Sequence, residues 1–142
     1  MSALKINHAA VWVAIVIAHA LGFLWYGFLF QEAWMDAAGL TMADIEAAPA
    51  GAGHWISNTI ATILPIYLLA WMFVKMDIRS GVQGAIIGLL ISFCFVLCTM
   101  ITTGMFEGEP YGLAWINGGS TMLVITVAGF ILGAWTKTSS AD

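Results

Sequence analysis

Four long apolar stretches dominate the hydropathy pattern of this chain, at about 7–30, 54–74, 84–103 and 113–135, and few polar positions interrupt them. At about 1.5 Å of rise per residue, a helix of about 20 residues crosses a hydrocarbon layer about 30 Å thick. The pattern therefore predicts an all-α fold: a polytopic four-transmembrane-helix bundle forming one domain over residues 1–142. The longest connection, Gln31 to Gly53, predicts two short helices. Gln31 to Ala38 sets Trp34 and Met35 against Glu32 and Asp36, and Gly39 stands where a helix C-terminus favours glycine. Thr41 with Asp44 three residues later reads as a capping-box variant opening the second short helix. The link from Lys75 to Ser80 is short, so the second and third spans are expected to be antiparallel neighbours.

Composition agrees with the pattern, because 61% of the residues are hydrophobic and 8% charged. That much apolar surface needs a bilayer to cover it, and the spans leave no room for a soluble domain. Charge then orients the spans. Lys5 precedes the first span, Lys75 and Arg79 lie between the middle two, and Lys137 follows the last. Lys and Arg stay on the cytoplasmic side during insertion, so both termini are expected inside, with the acidic loops facing out. The formal net charge of −4 and the lack of a basic cluster exclude nucleic acid as a partner. Lys5, the run Ala9 to Ala18 and the triplet Ala18, His19, Ala20 mimic a cleavable signal peptide. The apolar run continues through Leu21, Phe23, Leu24 and Phe28, so a retained helix is expected instead.

Small residues recur on several faces. Ala10, Ala14, Ala18 and Gly22 form a stripe on the first span; Gly84 and Gly88, with Ser92, form one on the third, and Gly129 with Gly133 one on the fourth. In lipid such stripes let helix backbones approach, either inside the bundle or between protomers. Polar span residues concentrate toward the expected outer side: Tyr26, Asn58, Thr99 and Asn117, with His19 near the midplane. They are expected to converge, as a network that sets helix register or as a shallow outward-facing pocket. His19 is the one ionisable group deep in a span, and the centres of the spans hold no Asp, Glu, Lys or Arg. That weakens ion-coupled transport.

No metal site is expected, because His8, His19 and His54 occupy different depths, and Cys94 with Cys98 lacks further ligands. No catalytic motif is present, so neither an enzyme nor a cofactor is expected.

The stretch Gly22, Phe23, Leu24, Trp25, Tyr26, Gly27, Phe28, Leu29, Phe30, followed by Ala33 and Trp34, resembles the signature of the bacterial domain of unknown function 1761 family. Asn7, Leu40, Thr41 and Asp44 are similar too, as is the run Trp115, Ile116, Asn117, Gly118, Gly119. The resemblance covers nearly the whole chain and implies a small four-helix protein of the bacterial inner membrane. The chain departs from the usual motif at Phe28, where proline is common, and at Gln31 and Glu32, where a Gly-Lys pair is common. The leading expectation for function is a structural or interaction role, as a homo-oligomer or an accessory subunit of a membrane complex. The alternative is a small channel or carrier for a neutral or cationic solute, and a weaker third reading has Trp34 sensing lipid at the outer leaflet.

Overall fold

A computed structural model describes residues 3–139. Its elements are β1 (Leu4–Lys5), α1 (His8–Leu24), a π-helical segment π1 (Trp25–Leu29), α2 (Gln31–Ala38), α3 (Met42–Ala47) and α4 (Ala52–Lys75). They continue as α5 (Gly81–Ile91), a second π-helical segment π2 (Ser92–Leu97), α6 (Cys98–Glu107), α7 (Tyr111–Ala134) and β2 (Lys137–Thr138). Four continuous runs, His8–Leu29, Ala52–Lys75, Gly81–Glu107 and Tyr111–Ala134, are long and apolar enough to cross a membrane. The third extends past both ends expected from hydropathy, because α5, π2 and α6 follow one another without a break.

Both described ends of the chain meet at one end of the bundle. β1 and β2 pair antiparallel, Leu4 with Thr138 and Lys5 with Lys137. Asn7 fastens the same junction: its Oδ1 accepts from the Ala10 N–H at 3.4 Å, and its Nδ2 donates to the Trp135 carbonyl at 3.0 Å. Lys75 and Arg79 share this termini end, where Arg79 pairs with Asp77 at 2.7 Å. At the opposite, loop end, α2 closes on Gly39 in the left-handed conformation (φ 66°). The expected capping box opens α3, with Thr41 and Asp44 bonding reciprocally.

The main core lies toward the termini end. It joins Ala10, Val11, Ala14 and Ile15 of α1 to Ile66, Leu69 and Phe73 of α4 and to Ala128 and Leu132 of α7. α7 is the hub, packed most closely on α5 and next on α1. Its contact with α5 is backbone on backbone. A methyl at Gly84 would overlap the Gly129 carbonyl, one at Gly129 the Gly84 carbonyl, and one at Gly133 the Ser80 carbonyl. Close approach of this kind supplies van der Waals packing where lipid gives no hydrophobic drive.

One expectation about packing is overturned. α5 lies along α7, whereas α4 packs on α1 and α7, so the second and third spans are not packed side by side. A short link constrains the ends of two helices but not their faces, and the glycine face of α5 fits the backbone of α7. α4 reaches α5 near the link, where the Phe73 ring lies against Gly84. Only the termini half of α4 is packed: Ile66, Leu69, Ala70 and Phe73 are buried, whereas residues 51–61 are exposed throughout. The loop half of α4 thus stands away from the bundle.

Candidate functional site: an interhelical cleft

Because α4 diverges, a cleft of about 830 Å³ opens between it and the wall made by α1, π1, α5, π2 and α7. On α4 the lining positions Trp55, Asn58, Thr62, Pro65, Leu69 and Met72 recur every three or four residues, so one helical face looks into it. On α1 and π1, Ala18, Gly22 and Tyr26 form the facing row.

Three helix irregularities meet at this cleft. Tyr26 and Gly27 belong to π1, Ser92 and Val96 to π2, and Pro65 interrupts the hydrogen-bond ladder of α4; all five line the cavity. Irregular backbone within a membrane is tolerated where protein buries it or where it lines a cavity. The onset of π2 has a local cause. Ser92 is fully buried, and its hydroxyl donates to the Gly88 carbonyl at 2.7 Å and the Leu89 carbonyl at 3.1 Å. Such back-bonding competes with backbone donors and loosens the regular ladder.

The wall opposite α4 is locked by the aromatic motif at the end of the first span. The Trp25 indole N–H donates to the Ile116 carbonyl at 3.0 Å, and the Tyr26 hydroxyl donates to Asn117 Oδ1 at 3.0 Å. The absence of side chains at Gly118 and Gly119 admits Leu97 and the Trp25 ring respectively. Deeper along α1, His19 Nδ1 lies 2.9 Å from the Ile15 carbonyl. A carbonyl only accepts, so Nδ1 carries the proton and, in the neutral ring, Nε2 is the acceptor. The lining contains no Asp, Glu, Lys or Arg.

Of the polar residues singled out by depth, His19, Tyr26 and Asn58 line this cleft, and Asn117 joins through Tyr26. Thr99 stands apart: it is exposed on α6 and donates to the Phe95 carbonyl at 2.7 Å. Thr62, Ser92, Ser120 and Thr121 also line the cavity. The spacing of Trp55, Asn58, Thr62 and Pro65 on α4 could have grouped Thr62 with them; Ser120 and Thr121 share the level of Asn117 in the sequence, and Ser92 reads there only as a packing residue beside Gly84 and Gly88. Ala10, Ala14 and Ala18 are buried within the bundle, while Gly22 borders the cleft with open space where a Cβ would stand. Among the described residues no three His, Cys, Asp or Glu side chains group as a metal site.

A family model described as "Protein of unknown function (DUF1761)" matches residues 9–133. No curated protein and no solved structure matches the chain.

Proposed function

The chain belongs to the DUF1761 family, and we propose that it is an intramembrane binding protein, a small carrier or receptor that admits an uncharged amphipathic molecule into the cleft. The observation that carries this reading is the divergence of α4, which leaves a cavity of about 830 Å³, within the usual range of about 300–1,000 Å³ for small-molecule sites. His19, Tyr26, Asn58 and Ser120 offer polar contacts, and Ile66, Leu69, Met72, Ile91, Val124 and Ile125 offer an apolar lining. With no charged side chain in the lining, an ionic ligand would lose hydration without gaining a partner.

Other features favour a carrier or receptor over the remaining readings. The core that joins Val11 of α1, Phe73 of α4 and Leu132 of α7 fills the bundle toward the termini end, which argues against an open pore. The small-residue stripes that motivated an assembly role are engaged inside one chain, at Ala10, Ala14 and Ala18 and between α5 and α7. With the cationic end cytoplasmic, the cleft sits toward the outer leaflet of a bacterial inner membrane. Its mouth then opens sideways to lipid, past the exposed Phe23 and Trp55.

Native mass spectrometry of the full chain, extracted with its own lipids, tests the reading. One small amphiphile per chain is expected, and Gly22→Phe, which places a ring in the open space at Gly22, should reduce its occupancy about tenfold while the protein stays folded. An adduct unchanged in that variant, or a second polypeptide held in place of a small molecule, would return the interaction role to first place.

A further inference from the structure

We propose that the cleft selects a hydrogen-bond donor, and that its ligand is a membrane-dissolved lipid with an uncharged hydroxyl head. The proposal rests on reading the cleft as a binding site and follows from where the lining protons already go. A hydroxyl carries one donor and two acceptor lone pairs. Ser92 gives its proton to the Gly88 carbonyl at 2.7 Å, Thr62 to the Asn58 carbonyl at 2.9 Å and Thr121 to the Asn117 carbonyl at 3.4 Å. Tyr26 gives its proton to Asn117 Oδ1 at 3.0 Å, and His19 Nδ1 gives its own to the Ile15 carbonyl at 2.9 Å. Ser92 is fully buried, so the lone pairs left to offer are those of Thr62, Thr121, Tyr26 and His19.

The backbone adds to the same bias. Pro65 has no N–H to give the Ala61 carbonyl, and both residues line the cavity. Remaining donors are the Asn58 amide and the Trp55 indole, both on the exposed half of α4, and the Ser120 hydroxyl beside the Tyr26 phenol. Around His19, Thr62 and Thr121 the cleft is therefore rich in acceptors and poor in donors.

Three head groups can be ranked against that lining. An ether, ester or ketone would set lone pairs against lone pairs and leave buried acceptors unmatched. An ammonium donates, but it needs a counter-charge once out of water, and no carboxylate lines the cavity. A hydroxyl donates to one of the free lone pairs, can accept from Asn58, and brings no charge. Its hydrocarbon chain would lie along Leu69, Met72, Ile91 and Val124 and leave toward the bilayer.

The deciding experiment offers the full chain, in phospholipid nanodiscs, a long-chain prenyl alcohol, its methyl ether and the corresponding primary amine, alone and in competition, read by native mass spectrometry. The alcohol should be preferred about tenfold over the ether, the worth of one good hydrogen bond, and at least as strongly over the amine. Equal binding of alcohol and ether, or stronger ether binding, overturns donor selection while the cleft survives as a binding site. Preference for the amine overturns the uncharged head. If none of the three binds, the reading of the cleft as a lipid-binding site fails with the inference. His19→Leu and Thr62→Val should each draw the alcohol-to-ether ratio toward one while ether binding holds. A ratio unchanged in both overturns the role given to these acceptors.

Discussion

At Gly129 the bundle depends on a missing side chain, and at Gly22 it does not. The same substitution should therefore have opposite signs at the two positions. Gly22→Ala meets nothing within 4 Å and should gain up to about 1 kcal/mol of helix propensity. Gly129→Ala pushes a methyl into the Gly84 carbonyl, which backbone cannot easily yield, and should cost about 1–3 kcal/mol. Thermal unfolding of the two variants in one detergent measures both. A second residue-scale effect concerns pH. Hydrogen bonds from the Thr41 hydroxyl (2.5 Å) and backbone N–H (2.8 Å) hold the Asp44 carboxyl below the ordinary aspartate range. A depressed pKa gives a cap that is fully present above about pH 4 and lost as pH falls through the lowered value. Amide exchange at Ile45 should therefore quicken, relative to its intrinsic rate, only on the acid side of that range. The sequence shows the depth of a polar residue in a span but not which way it faces. Tyr26 and Asn117 share a level and do meet, whereas Thr99 lies beyond π2, faces outward, and satisfies its hydroxyl on its own helix.

Among the elements, those announced by local chemistry were legible and those decided by packing were not. Gly39 and the Thr41–Asp44 pair mark the end of α2 and the start of α3 because each makes its own hydrogen bonds. π1 and π2 escape a reading based on a 3.6-residue period, and the pairing of α5 with α7 depends on backbone contacts between distant glycines. Pro65 offers a residue-level cause for the divergence of α4. The Pro65 ring is repelled by the Ala61 carbonyl one turn earlier, and both lie on the cleft side. A helix opened on that face would carry its loop half outward. Pro65→Ala restores the missing donor and should let the helix straighten, so spin labels at Ile56→Cys and Tyr111→Cys are expected to move closer. An unchanged label distance would assign the divergence to packing in the termini half instead.

For the molecule as a whole, charge and architecture agree on an axis. Lys5, Lys75, Arg79 and Lys137 gather at the end where β1 meets β2, and the acidic side chains of the loops, Glu32, Asp36, Asp44, Glu46, Glu107 and Glu109, lie at the other. Under the positive-inside rule, a fluorescent protein fused to the C-terminus should light up, and a reporter inserted between α3 and α4 should be active only if exported. The reverse result would place the mouth of the cleft in the cytoplasmic leaflet. The four-span fold was readable because hydropathy acts over about 20 residues at a time. The sequence allowed a shallow pocket among His19, Tyr26 and Asn58 but not a cleft of this size, which depends on one helix failing to pack.

The packing of Ile66, Leu69, Ala70 and Phe73 into the core also makes α4 a lever. Trp55 lies eleven positions before Ile66, an arm of about 16 Å at 1.5 Å per residue. A tilt of about 10° about this fulcrum would carry the Trp55 backbone about 3 Å, with the small angle magnified by the arm. Lateral pressure of a bilayer on the free arm would therefore change the room inside the cleft.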